Sequence, residues 1–178
     1  MKKIINIEDK IFSLLISAEE IRERIPHIVK EIYSEFKEEH TIEAIVLMNG
    51  AFMFASDLCI YLDKVKLHFI KASSYSGIQS TEDVKIESYD FAQFKNKNVL
   101  LIEDIIETGN TIQKLSSILH VNKVNKIVTA SLIVKPNKLQ HTIDKLIAGF
   151  SISDAFIIGY GMDFNQQGRH LADIYQLV

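Results

Sequence analysis

The sequence predicts an α/β fold with a mainly parallel, twisted sheet flanked by helices. Apolar stretches of strand length alternate along the chain with stretches of helical periodicity, which is typical of this fold class. The central predicted strands are continuously apolar, as expected where helices cover both faces of a sheet. With 178 residues, of which 47% are hydrophobic and 24% charged, the chain fits one folded domain, which we expect to span residues 1–178.

Composition argues against several classes of function. The net charge of −3 provides no global basic field that would attract nucleic acid or an anionic membrane. Charged residues at 8–10 and 19–20 interrupt the apolar N-terminal segment, so we expect neither a targeting segment nor a membrane partner. Cys59 is the only cysteine, which excludes an internal disulfide and fits a reducing cytoplasm.

In the first third of the chain, the pattern predicts a long helix over residues 17–39. Apolar side chains recur there at helical spacing, and Ser17 with Glu20 matches a capping box. Pro26 should kink this helix or divide it in two. The next predicted elements are a buried strand at 44–48, a helix at 51–62 and a strand at 65–72.

Residues 73–83 have a different composition. They contain Ser, Tyr, Gly, Gln and Thr without an apolar period, which predicts a long mobile loop. Residues 84–88 are expected to pair with the strand before this loop as a hairpin. The remaining predicted elements are strands at 99–102, 127–134, 156–159 and 174–177 and a helix at 111–120.

Residues 99–111, Val-Leu-Leu-Ile-Glu-Asp-Ile-Ile-Glu-Thr-Gly-Asn-Thr, contain the clearest chemical motif. An apolar strand leads into the carboxylates of Glu103 and Asp104, and a turn then leads into a helix. A helix N-terminus favours anions, and Gly109 allows the backbone to approach a phosphate closely. Because two carboxylates would repel a bare phosphate, they favour ribose hydroxyls or a cation such as Mg²⁺. The motif therefore predicts a site for a phosphorylated sugar.

Two other interpretations of the glycine-containing segments have less support. Residues 108–111 could simply cap a helix while the acids face solvent, but three acids at the end of a buried strand make this interpretation weaker. The chain has no GxxxxGK[ST] run, and Gly159-Tyr-Gly161 is not followed by the third glycine of a dinucleotide fingerprint.

The motif resembles the phosphoribosyl-pyrophosphate signature of type I phosphoribosyltransferases. Almost the whole chain is similar to bacterial hypoxanthine (hypoxanthine-guanine) phosphoribosyltransferases. The other matching segments are Met-Asn-Gly-Ala-Phe at 48–52, Ser-Ser-Tyr at 73–75, Leu-Ile-Val-Lys at 132–135, and Phe-Ile-Ile-Gly-Tyr-Gly-Met-Asp at 156–163 followed by Arg169. The resemblance implies a small hood region beside the sheet and a flexible active-site loop at residues 73–83 that acts as a lid.

The reaction implied by the resemblance is Mg²⁺-dependent purine salvage in the cytoplasm. The enzyme would transfer phosphoribose from phosphoribosyl pyrophosphate to hypoxanthine, and to guanine, giving IMP or GMP and pyrophosphate. Its partners would be phosphoribosyl pyrophosphate, a 6-oxopurine and further copies of itself in a homodimer or homotetramer. Glu107 would be the catalytic residue, acting on the proton at purine N7.

The resemblance also implies the residues of each subsite. The phosphoribose and its phosphate would be bound by Glu103, Asp104, Thr108, Gly109, Asn110 and Thr111. Pyrophosphate would be bound by Asn49, Gly50, Ser74, Tyr75 and Arg169. The purine would be bound by Lys135, Phe156, Ile157 and Asp163, and the metal by Glu103, Asp104 and Asp163.

Sequence position alone favours a different interpretation of three of these residues. Without the family motif, Lys135 would be a solvated lysine at the start of a loop, Phe156 a core residue and Arg169 a surface residue. By resemblance, Lys135 donates to purine O6, where adenine carries an amino group instead. That mismatch would select 6-oxopurines, because an unpaired buried polar group discriminates strongly between substrates.

The chain departs from the family pattern at two positions. Glu107 stands where the family usually has aspartate, and Asn49 stands where it often has lysine. The Met48–Asn49 peptide bond is expected to be cis. These departures leave open a regulatory protein on the same fold that senses phosphoribosyl pyrophosphate or nucleotide. An enzyme for adenine or a pyrimidine is the third hypothesis, and Lys135 with Phe156 argues against it.

Overall fold

The computed structural model describes residues 3–36, 41–74 and 84–178, which form two sheets with three α-helices in these ranges. The helices are α1 (Ala18–Phe36), α2 (Phe52–Cys59) and α3 (Asn110–Val121). The strands are β1 (Ile4–Ile7), β2 (Lys10–Ile16), β3 (Ile42–Met48), β4 (Val65–Ser74), β5 (Val84–Ile86), β6 (Asn98–Ile106), β7 (Lys126–Val134), β8 (Leu146–Ser151), β9 (Ile157–Ile158) and β10 (Ile174–Leu177). None of the helices in the described ranges is long and apolar enough to cross a membrane.

The larger sheet has six strands in the order β5-β4-β3-β6-β7-β8. All neighbouring pairs are parallel except β4 with β5, which forms the expected hairpin at the sheet edge. Ala44 and Val46 pack with α1 and α2, whereas Ile45 and Leu47 pack with α3 on the opposite face. This alternation follows the two-residue period of a strand covered on both faces. The predicted α/β class is confirmed.

The second sheet is small and antiparallel, with the order β1-β2-β10-β9. It joins the N-terminal strands to the last strand of the chain and corresponds to the hood region that the resemblance implies. Strands β1 and β2 were absent from the sequence prediction, as was β8. Each lies at or near a sheet edge and is only partly buried, so its apolar pattern is weak.

Helix α1 begins at the predicted capping box. The Ser17 backbone N–H donates to Glu20 Oε2 at 2.8 Å, and the Glu20 N–H donates to Ser17 Oγ at 3.2 Å. The predicted division at Pro26 does not occur, because α1 continues through it to Phe36. Isoleucines on both sides of the proline are buried on one face, and this shared packing keeps the two halves in one helix. Residues 37–39 of the predicted helix lie outside the described residues.

Two strands extend further than the sequence predicts. β6 includes Glu103 and Asp104, so these acids lie within the strand and not after it. β4 includes Ser73 and Ser74, whose backbones pair with β5; the predicted loop boundary at residue 73 is therefore wrong by two residues. The rest of the predicted lid, residues 75–83, lies outside the described residues.

Candidate active site

The carboxyl ends of β3, β6 and β7 meet at one edge of the larger sheet, because these strands are parallel neighbours. The segments that follow them are the loop at residues 49–51, the turn at 107–109 and Lys135. Ligands of α/β sheets bind at such an edge. Segments that lie far apart along the chain are thus brought to one place.

The turn after β6 leads directly into α3. Gly109 precedes the helix with a φ of +84°, and the Asn110 backbone N–H donates to Thr108 Oγ1 at 3.3 Å. The Gln140 N–H donates to the Thr108 carbonyl at 3.0 Å, which fixes the turn from outside. Thr111 lies in the first helical turn, where backbone N–H groups have no intrahelical acceptor and can bind an anion.

Glu103 and Asp104 form a carboxylate pair at the end of β6. Asp104 is buried and Glu103 is half-buried. Burial raises the pKa of both carboxyls, and repulsion from Asp104 raises the pKa of Glu103 further. A neighbouring cation or hydroxyl donors would stabilise the charged forms, which suits a ribose diol or a hard metal ion.

The loop after β3 lies directly against this pair. A Cβ added at Gly50 would lie 1.9 Å from Asp104 Oδ2, and one added at Gly161 would lie 1.9 Å from the Gly50 carbonyl oxygen. The Met48–Asn49 peptide bond is cis, as expected, and Asn49 is exposed. Any larger residue at position 50 would therefore displace the Asp104 carboxylate.

Arg169 and Asp163 form an ion pair beside this loop. Arg169 Nη2 lies 2.6 Å from Asp163 Oδ1, and Arg169 Nη1 donates to the Gly161 carbonyl at 2.7 Å. The other Asp163 oxygen accepts the Gln166 N–H at 2.7 Å. The guanidinium also lowers the pKa of Asp104, opposing the effect of burial. Arg169 is therefore a positioned cation near the carboxylate pair and not a free surface residue.

Lys135, at the end of β7, is only 3% exposed. Its Nζ contacts a carboxylate oxygen of Glu107 and lies 3.6 Å from Asp154 Oδ1. Lys138 Nζ lies 2.6 Å from Asp154 Oδ1 and 3.8 Å from Glu107 Oε2. The prediction that Lys135 is solvated by position is wrong, because its side chain is buried between the carboxylates of Glu107 and Asp154.

Phe156 is 47% exposed, so it is not a core residue. Its ring lies 5.9 Å from that of Phe164 and 6.4 Å from that of Phe12, measured between centroids. Ile157, the next residue, is buried in β9. An exposed aromatic ring supported at its edges can stack on a planar base.

The predicted metal ligands are not all brought together. Nowhere in the described ranges do three His, Cys, Asp or Glu side chains lie close enough to hold a metal ion. Glu103 and Asp104 are adjacent, whereas Asp163 is paired with Arg169. The side chains of Ser74 and Tyr75 lie outside the described residues, so their proposed pyrophosphate contacts remain predictions.

Comparison with known proteins identifies the family. A model of the phosphoribosyl transferase domain matches residues 17–165. The chain belongs to the phosphoribosyltransferase family. The resemblance inferred from its motifs is confirmed.

Relatives of this phosphoribosyltransferase match most of its length. The chain is 35% identical over 168 residues to a hypoxanthine phosphoribosyltransferase of Escherichia coli K12, covering 93% of this chain and 94% of the relative. It is 32% identical over 173 residues to a hypoxanthine-guanine phosphoribosyltransferase of Aquifex aeolicus, covering 96% and 97%. A crystal structure of a Bacillus anthracis hypoxanthine-guanine phosphoribosyltransferase superimposes with a TM-score of 0.85 at 31% identity, covering 97% of this chain and 100% of the other.

Sequence reasoning missed four residues that shape this phosphoribosyltransferase site. Lys138 and Asp154 complete the charge cluster around Lys135. Tyr160 is buried and its hydroxyl donates to the carboxylate of Asp57, which ties the segment before Asp163 to α2. Lys138 could have been found from its three-residue spacing to Lys135. Tyr160 lies in the matching segment at 156–163, but no local pattern indicates its contact with Asp57.

Proposed function

We propose that this chain is a purine salvage enzyme that transfers phosphoribose from phosphoribosyl pyrophosphate to hypoxanthine and guanine. The observation that carries the proposal is the contact between Glu107, which begins the phosphate-binding turn, and the buried Lys135. A phosphorylated sugar in the turn and an oxopurine on Lys135 would meet at Glu107. The activities named for the E. coli and Aquifex relatives support the same reaction.

Lys135 and Phe156 are the proposed purine contacts. The Lys135 ammonium donates to O6 of hypoxanthine or guanine, and the exposed Phe156 ring stacks on the base while Ile157 contributes backbone contacts. Because Lys135 is buried, adenine would leave its ammonium facing an amino donor. Such a mismatch is strongly unfavourable in a desolvated site.

Glu107 is the proposed catalytic base. As N9 of the purine bonds to C1 of the ribose, the carboxylate accepts the proton that N7 loses. Glu107 is half-buried, and one of its carboxylate oxygens contacts Lys135. The bond to pyrophosphate breaks in the same step, and positive charge that develops on the sugar ring is stabilised by the nearby carboxylates.

The phosphoribose half of the site orients the other substrate. Thr108, Gly109, Asn110 and Thr111 bind the 5-phosphate at the start of α3, and the carboxylates of Glu103 and Asp104 accept the ribose hydroxyls. Asn49, Gly50 and Arg169 bind pyrophosphate, and Ser74 and Tyr75 join them when the lid that follows β4 closes over the site to exclude water.

The carboxylate pair fits Mg²⁺, which proteins usually bind through one or two carboxylates together with substrate phosphates. Glu103 and Asp104 would supply those oxygens, and Asp163, which pairs with Arg169 in this structure, is retained as a further proposed ligand. A metal ion held there would supply positive charge to offset the charge of the leaving pyrophosphate. We further propose a cytoplasmic homodimer or homotetramer that has no nucleic-acid or membrane partner, in line with the net charge of −3.

The direct test incubates the purified protein with phosphoribosyl pyrophosphate, Mg²⁺ and each of hypoxanthine, guanine, xanthine and adenine, and follows nucleotide formation by chromatography. We expect IMP and GMP to form, adenine to remain unchanged, and chelation of Mg²⁺ to stop the reaction. Absence of turnover with both hypoxanthine and guanine would refute the enzyme. Tight binding of phosphoribosyl pyrophosphate without turnover would favour the regulatory sensor.

A further inference from the structure

Four charged side chains form a closed ring at the purine end of the site: Glu107, Lys135, Asp154 and Lys138. Each of the two carboxylates lies within 4.0 Å of both ammonium groups. The longest of the four separations are 3.6 Å between Lys135 and Asp154 and 3.8 Å between Lys138 and Glu107. Two of these four, Glu107 and Lys135, have proposed roles in the reaction. Asp154 and Lys138 have none so far.

Lys135 differs from the other members in burial. Its side chain is 4% exposed, whereas those of Lys138, Glu107 and Asp154 are 37%, 42% and 59% exposed. An ammonium group out of contact with water needs an anion, and removal of that anion is strongly destabilising. In the free enzyme, Glu107 meets this need through direct contact.

The proposed reaction takes that anion away. When Glu107 accepts the proton of purine N7, its side chain becomes neutral and no longer supplies a negative charge to Lys135. The neutral O6 of the purine replaces the hydrogen bond but not the negative charge. Lys135 therefore requires a second anion within reach when the purine is bound.

Asp154 is placed to provide this charge. Its Oδ1 lies 3.6 Å from Lys135 Nζ, inside ion-pair distance but beyond a hydrogen bond. Lys138 lies 2.6 Å from the same oxygen, and its backbone N–H donates to the Lys135 carbonyl at 3.0 Å. The hydrogen bond from Lys138 lowers the pKa of Asp154, so the carboxylate is charged at neutral pH. Lys138 thus holds an ionised carboxylate facing Lys135.

We propose that Asp154 is a positioning residue that replaces Glu107 as the counter-ion of Lys135 when a 6-oxopurine binds, and that Lys138 holds it in place. The inference rests on the proposed function, because it assigns the exchange to purine binding. It explains how a buried lysine can serve both as partner of the catalytic carboxylate and as donor to O6. The Lys135 ammonium exchanges its ion pair with Glu107 for an ion pair with Asp154.

The test compares Asp154→Asn with Asp154→Glu and with a control, Asp144→Asn, at an exposed aspartate. Calorimetry measures the binding of IMP and of AMP, which differ at the purine 6-position. We expect Asp154→Asn to weaken IMP binding about tenfold and AMP binding less than about twofold. Asp154→Glu should restore most of the IMP affinity, and Asp144→Asn should match the wild type. Because binding needs no turnover, this result is independent of the activity assay.

Kinetics provides the second measurement on the same variants. For Asp154→Asn, we expect kcat/KM for hypoxanthine to fall about tenfold while KM for phosphoribosyl pyrophosphate stays within about twofold. An unchanged ratio of IMP to AMP affinity in Asp154→Asn, whether both affinities stay the same or both fall equally, would overturn the inference. If the wild type binds IMP more tightly than AMP but forms no nucleotide, the proposed function is contradicted. The role of Asp154 is then decided by the affinities of its variants for IMP and AMP.

Discussion

Lys135 Nζ contacts the carboxylate of Glu107, although 28 residues separate them along the chain. The strands that precede them, β6 and β7, are parallel neighbours with Ile106 opposite Val134. The Lys135 backbone N–H also donates to the Ile106 carbonyl at 2.9 Å, so the hydrogen bonding between β6 and β7 continues up to the site. This contact joins the proposed phosphate-binding turn to the proposed purine contact.

Replacing Lys135 by methionine should remove the donor to purine O6 while keeping an unbranched side chain in the buried position. We expect kcat/KM for hypoxanthine to fall by about a hundredfold or more, because a buried hydrogen bond that discriminates between purines is lost. KM for phosphoribosyl pyrophosphate should change little. Steady-state kinetics with each substrate varied checks this, and an equal rise in both KM values would contradict the assignment.

The Glu107→Asp substitution tests whether the site has adapted to the longer side chain. Glu107 reaches Lys135 with one oxygen and lies 3.8 Å from Lys138 with the other. Aspartate would withdraw the carboxylate by about an ångström, so we expect kcat to fall by roughly tenfold to a hundredfold. Single-turnover rates of IMP formation measure the effect, with Glu107→Gln as the variant that lacks the base. A faster Glu107→Asp enzyme would show that glutamate is a compromised base.

Alanine at residue 50 should disturb the phosphoribose half of the site. Its Cβ would lie 1.9 Å from Asp104 Oδ2, so the carboxylate must move. We expect kcat/KM for phosphoribosyl pyrophosphate to fall at least about tenfold.

The control for this variant is Gly149→Ala, whose Cβ would meet the Leu132 carbonyl oxygen at 2.5 Å in the β7–β8 pairing. It should lower the melting temperature without a selective loss of phosphoribosyl pyrophosphate binding. The same kinetic defect in both variants would indicate that general destabilisation explains the effect of Gly50→Ala.

The Tyr160 hydroxyl should contribute to stability through Asp57. Burial raises the pKa of Tyr160, and the hydrogen bond to Asp57 raises it further, so the hydroxyl is protonated and donates. We expect Tyr160→Phe to lower the free energy of unfolding by about 1 kcal/mol. Urea unfolding measures the change against Tyr61→Phe, a control at an exposed tyrosine. Equal stability of the two variants would show that the Asp57 contact contributes nothing measurable.

Glu43 should make stability depend on pH at the end of the sheet opposite the site. It is 3% exposed, with His68 Nε2 at 2.7 Å and Lys97 Nζ at 2.9 Å. Burial raises its pKa, but the hydrogen bonds from His68 and Lys97 outweigh this and lower the pKa below the usual value of 4.5. A carboxyl with a lowered folded-state pKa stabilises the protein above the unfolded-state value and loses this effect as the pH falls through the folded-state value.

We therefore expect Glu43→Gln to be less stable than the wild type at pH 7, with a difference that shrinks on acidification from about pH 5 to about pH 3. Urea midpoints across this range measure the difference. Glu87→Gln, at an exposed glutamate, is the matched control. A constant difference between wild type and Glu43→Gln over the whole range would contradict a role for the Glu43 charge.

The central elements could be predicted because their signals are local. The apolar runs at 44–48 and 127–134 lie within β3 and β7, and the periodic segment at 111–120 lies within α3. The hood strands β1 and β2 could not be found in this way. Both are partly buried, and β2 takes its second partner, β10, from the other end of the chain, so the local pattern did not distinguish them from an apolar N-terminal segment.

By itself, the sequence determined the alternation of strands and helices, the strand–turn–helix motif at 99–111 and the family, because these depend on apolar periodicity and on short motifs of fixed order. Only the tertiary structure decided that Lys135 is buried against Glu107 and that Asp154 and Lys138 complete the ring of four charges. It also decided that the Asp104 carboxylate packs against the backbone of Gly50. These contacts join different strands and loops. Their geometry follows from strand register and from backbone approach at the glycines, neither of which a local sequence pattern specifies.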